Sequence, residues 1–71
     1  MNHTHVFQVM EYEDIGSPFV EQWLTEWADR SAAVAEANRL LAIGIRGRRF
    51  RVDLITFSDG AFLCREPIHF A

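Results

Sequence analysis

Residues 19–28 read FVEQWLTEWA, and whether they form a helix or a strand decides how many strands the fold contains. As a helix, Phe19, Val20, Trp23, Leu24 and Trp27 fall on one stripe at i, i+1, i+4, i+5 and i+8. Ser17 would then be the N-cap and Pro18 the first helical residue. As a strand, Phe19, Trp23 and Trp27 share one face with Glu21 and Thr25 between them, while Val20 and Leu24 take the other. Periodicity favours the helix, but size limits it. A single helix from Pro18 to Ile43 would extend about 39 Å, whereas a domain of this length has a radius of gyration of about 11 Å. A break is therefore expected near Asp29 to Ser31, and residues 19–28 stay open between the two readings.

The clearest helix follows. Residues 31–43, SAAVAEANRLLAI, are rich in Ala, Leu, Glu and Arg, which lose little side-chain entropy in a helix. Asp29 or Ser31 can cap its start, and Gly44 can end it in the left-handed conformation. Val34, Ala37, Leu41 and Leu40 form the expected buried stripe, interrupted by Asn38, with Glu36 and Arg39 on the wet side.

The last third reads as a hairpin. From Arg49 to Phe57 the chain alternates, with Phe50, Val52 and Leu54 on one face and Arg49, Arg51 and Asp53 on the other. Ser58-Asp59-Gly60 supplies a tight turn with positive φ at the Asp-Gly pair. Residues 61–65 pair back, and Pro67 ends the pairing or marks an edge. At the other end, His5 to Tyr12 suits a first strand, followed by a break at Gly16-Ser17-Pro18. The expected architecture is α+β: a small antiparallel sheet of three or four strands with one main helix on one face. One helix covers one face, so aromatic side chains are left over on the other, and an uncovered apolar patch marks a partner surface.

Seventy-one residues are read as a single domain, 1–71, which buries only about 60% of its unfolded surface and is marginal alone. The net charge of −3 argues against whole-surface attraction to nucleic acid or anionic membrane. Cys64 is the only cysteine, which excludes an intrachain disulfide and suits a reducing, cytoplasmic compartment. The start, MNHTHVFQVM, lacks the apolar core of a signal peptide, and the run Leu40 to Ile43 is far too short to cross a bilayer.

Candidate chemistry is sparse. Arg46, Arg48, Arg49 and Arg51 gather four of the seven basic residues within GIRGRRFRVD, residues 44–53, with Arg46 and Arg48 in the turn and Arg49 and Arg51 on the strand. Such guanidinium groups can clamp phosphates or carboxylates. Alternatively they pair with Glu11, Glu13, Glu21 or Glu26 on neighbouring elements. Phe50 points away from Arg49 and Arg51, so the stretch lacks the shared aromatic and basic face of a single-strand RNA binder. His3, His5, Cys64 and His69 could converge on a metal only if the first and last strands were neighbours, and their spacing matches no compact zinc motif. Cys64 reads as a small buried or edge group. Gly44 and Gly47 do not match a phosphate loop, and the serines sit at caps and turns with no histidine near in sequence. No cofactor is implied, and an enzyme is not expected.

The expectation is a small cytoplasmic interaction protein that covers part of a larger protein or complex. Phe19, Trp23 and Trp27 would form an apolar centre, and Arg46, Arg48, Arg49 and Arg51 a polar rim. Bacterial and phage accessory proteins of this size include inhibitors of host defence such as anti-CRISPR proteins, which this chain resembles in size and charge balance. The alternatives are a nucleic-acid-binding regulator using the arginine cluster, or a self-associating structural subunit.

Overall fold

The computed structural model describes residues 2–13, 21–44 and 48–71. The break at Gly16-Ser17-Pro18, the Ser17 cap, Phe19, Val20, Arg46 and Gly47 lie outside the described residues. The elements are β1 (His3–Glu13), β2 (Glu21–Trp27), α1 (Arg30–Ile43), β3 (Arg48–Ser58) and β4 (Ala61–Phe70). The four strands form one antiparallel sheet in the order β2-β1-β3-β4. The α+β expectation holds, with four strands and the helix on one face.

Residues 21–27 are a strand, against the helical periodicity. The cause is a bulge. Val9 pairs with Thr25, but its neighbour Met10 pairs with Trp23, so Leu24 is the extra residue. Two phases of a strand joined at a bulge bring Trp23, Leu24 and Trp27 to a spacing that imitates a helix. The bulge also separates the tryptophans. Directly paired residues share a face, and Trp27 pairs with Phe7 while Trp23 pairs with Met10. Phe7 and Met10 are three apart on β1 and point to opposite faces. Trp27 therefore joins the helix-side core, and Trp23 faces the uncovered side.

Asp29 caps α1, its Oδ2 accepting from the Ala32 amide at 2.9 Å. Gly44 closes it at φ 77°, its amide donating to the Leu41 carbonyl. Of the expected stripe, Ala37 is buried and Val34 and Leu40 pack against the core, but Leu41 stays exposed and Ala33, outside that stripe, is fully buried. Alanine side chains seat the helix close to β1 and β3, around Val9, Phe50 and Val52, all buried. Phe7, Leu24, Trp27, Val34 and Ile68 pack at the margin of this core. Trp27 satisfies its indole N–H by donating to Thr25 Oγ1 at 2.8 Å.

The hairpin turns as expected, through Asp59 at φ 50° and Gly60 at φ 84°, the positive-φ pair that suits the twist of the strands. Asn2 braces this turn: its amide donates to Asp59 Oδ1, and its carbonyl accepts from the Asp59 amide. Pro67 does not end the pairing. β4 runs on to Phe70 as an edge strand, where a missing N–H is tolerated. The result is a slab of 43 × 27 × 15 Å with a radius of gyration of 13.0 Å, one helix and one sheet thick.

Candidate functional site: the uncovered face of the sheet

The alternation of β3 sorts its side chains. Phe50, Val52 and Leu54 point to α1, and Arg49, Arg51, Asp53, Ile55 and Phe57 point to the uncovered face. Asp53 is the unexpected member, because no solvent reaches it although no helix among the described residues covers it. Arginine side chains do the covering. Arg51 donates from Nε to Asp53 Oδ1 at 2.9 Å and from Nη2 to Oδ2 at 3.2 Å. Arg65, on β4, donates from Nη1 to Asp53 Oδ2 at 2.8 Å.

The network extends from edge to edge. Arg51 Nη1 donates to Glu21 Oε1 on β2 at 2.8 Å, and its guanidinium lies 5.6 Å from the centre of the Tyr12 ring. Arg65 Nη2 donates to Gln8 Oε1 at 2.7 Å, and Gln8 Nε2 donates to Glu26 Oε1 at 3.1 Å. Two carboxylate partners and a cation–π contact leave the Arg51 side chain only 13% exposed. The two carboxylates also raise its pKa, the Glu21 hydrogen bond most of all, against the opposing effect of desolvation. That same bond holds the Glu21 carboxyl below its ordinary range, against an opposing desolvation effect. Among the described residues no buried side-chain nitrogen or oxygen lacks a partner, which is the condition under which a buried polar network is tolerated.

Aromatic side chains stand around this network. Trp23 on β2 is 56% exposed and Phe70 on β4 is 63% exposed. Phe62 pairs with Phe57 edge to face, ring centres 6.4 Å apart, at the turn end of the hairpin. The expected apolar centre is therefore absent from the described residues: the buried Asp53 and its arginine partners occupy the middle of the face, and the exposed aromatics stand on the edge strands beside Glu21, Glu26 and Arg65. Burial of Asp53 on a central strand draws two guanidinium groups inward.

The predicted site residues separate accordingly. Trp23 and Arg49 lie on the uncovered face. Trp27 is diverted to the core by the bulge. Arg48 is the first residue of β3 rather than part of a turn, and it pairs on the helix side with Glu11. Arg51 is held by Glu21 and Asp53 within the chain. Phe19 and Arg46 lie outside the described residues. Sequence reasoning missed the roles of Asp53, Arg65, Gln8 and Phe70. The only visible signal was the R-V-D spacing, which puts Arg51 and Asp53 on one side of a strand.

The four metal-capable side chains do not meet, because β3 lies between β1 and β4. His5 Nδ1 lies 3.2 Å from Thr56 Oγ1, and His69 Nε2 lies 3.3 Å from Asn38 Oδ1 on α1. Cys64 is exposed on the edge strand. Among the described residues no group of three or more His, Cys, Asp or Glu side chains is placed to hold a metal. An open groove of about 430 Å³ lies between the outer flank of α1 and His69, lined by Arg30, Ser31, Val34, Ala35 and Asn38. Its volume would admit a small ligand, and two of its polar groups, Asn38 and His69, are hydrogen-bonded to each other across it. Among the described residues no helix is long and apolar enough to cross a membrane.

Comparison with family models, with curated proteins and with solved structures finds no match. The functional reading therefore rests on the uncovered face itself.

Proposed function

We propose that this chain is a small, cytoplasmic, non-enzymatic interaction protein that covers part of a larger protein with the uncovered face of its sheet. The observation that carries the reading is the pairing of exposed aromatics, Trp23, Phe62 and Phe70, with a central network whose polar groups are already satisfied. Such a face offers apolar anchors, and its buried charge, Asp53, is already paired within the chain. The mode of action is steric, as for an anti-CRISPR-type inhibitor: a rigid slab occupies a surface that the larger complex needs. Rigidity is supported by the ion network, which ties β2, β1, β3 and β4 together from above while α1 does so from below.

The test is capture from a lysate of the source cell on immobilised protein, followed by identification of what is retained. The native chain is expected to retain a specific protein that Trp23→Ala releases. Retention of nothing by the native chain contradicts the reading.

A further inference from the structure

We propose that, when the larger partner is absent, a second copy of this chain packs on the uncovered face. The two-fold axis runs along the strands between β1 and β3, and Trp23 of each copy meets Phe70 of the other. The inference rests on reading the uncovered face as a docking surface, and it names a second occupant for that face.

Strand register supplies the first argument. Trp23 pairs with Met10, Met10 with Arg51, and Arg51 with Phe70. Trp23 and Phe70 are therefore the two ends of one row that crosses the whole sheet. A two-fold along the strands lays β2 of one copy over β4 of the other and β1 over β3. The row then falls on its own reverse. Each exposed tryptophan meets an exposed phenylalanine, twice over, as an isologous interface requires.

Charge gives the second argument. β2 brings Glu21 and Glu26 to the face, while β3 and β4 bring Arg49, Arg51 and Arg65. The same rotation lays β2, with Glu21 and Glu26, over β4 of the other copy, which carries Arg65. With Asp53 included, three carboxylates match three guanidinium groups, so the face carries no net charge to repel its copy.

Area and edges complete the case. The slab measures 43 × 27 Å across its broad face, against about 800 Å² per partner in a stable interface. Sheets pack face to face about 10 Å apart with strands about 30° from aligned. Association edge to edge is discouraged on both sides. β2 carries a bulge, and β4 carries two register shifts together with Arg65, Glu66 and Pro67.

Sedimentation equilibrium of the full chain tests the proposal, with Trp23→Ala and Phe70→Ala measured beside it. The native chain is expected at twice 8.2 kDa, and each substitution is expected to raise the dimer dissociation constant about tenfold or more. A native mass of 8.2 kDa at a concentration on the order of 100 μM overturns the proposal. So does a dimer whose constant neither substitution moves. Trp23 is exposed, so Trp23→Ala keeps the fold, as circular dichroism will verify; if Phe70→Ala unfolds, Trp23→Ala alone decides. A monomeric native chain removes the second copy and leaves docking on a larger protein standing. A dimer that captures no other protein does the reverse.

Discussion

Arg51 and Asp53, two residues apart on β3, bind each other through two hydrogen bonds on the face of the sheet opposite α1. Asp53 stays fully buried there because Arg51 and Arg65 form its lid. The arginine-rich stretch that looks like an anion-binding patch is, at Arg51, part of the scaffold of this face.

Removing the carboxylate leaves two guanidinium groups facing an empty, desolvated position. Asp53→Ala is expected to destabilise the fold by about 3 kcal/mol, as breaking a buried ion pair does. Urea unfolding measures it. In a double-mutant cycle with Arg65→Met, the two losses should fall short of additive, because both remove the same contact.

Stability should also depend on acid. Arg51 lowers the pKa of Glu21, and Arg39, through a two-point hydrogen bond, lowers that of Glu36. A carboxylate with a depressed folded pKa binds fewer protons folded than unfolded, so its contribution is present above the unfolded value and is lost as pH falls through the folded one. Urea midpoints are expected to hold from about pH 7 to about pH 5 and to decline as the pH falls below the ordinary carboxylate value of 4.5. The slope should be shallower in Glu21→Gln, and an unchanged slope would remove Glu21 from the network.

Nucleic acid binding should be weak. Arg48 is paired with Glu11 and Arg51 with Glu21 and Asp53, so phosphates would have to compete with carboxylates already in place. Gel shifts at low salt with single- and double-stranded probes are expected to show no complex at micromolar protein. A complex that weakens steeply with salt would return the arginine cluster to a phosphate-binding role.

The sequence showed most clearly those elements whose two faces differ in chemistry. β3 is legible because Phe50 and Val52 alternate with Arg49 and Arg51, and the hairpin because Asp59-Gly60 demands positive φ. α1 is legible from its composition, its caps and most of its buried stripe; Ala33 escapes notice because a buried alanine is as silent in sequence as an exposed one. β2 was hidden because a bulge at Leu24 breaks the two-residue period on which a strand is recognised. The network was hidden for a different reason. It joins Glu21, Gln8, Asp53 and Arg65 from all four strands, and a chain does not display its strand order.

The central claim is that the uncovered face, not the helix, meets the partner. It is tested most directly by titrating the captured protein with three forms of the chain: native, Trp23→Ala and Ile43→Ala. Ile43 is 58% exposed at the end of α1, so it is an equally apolar control on another surface. The account predicts that Trp23→Ala weakens binding about tenfold or more, roughly 1.4 kcal/mol, while Ile43→Ala leaves it unchanged. Binding that survives Trp23→Ala and fails with Ile43→Ala would contradict it.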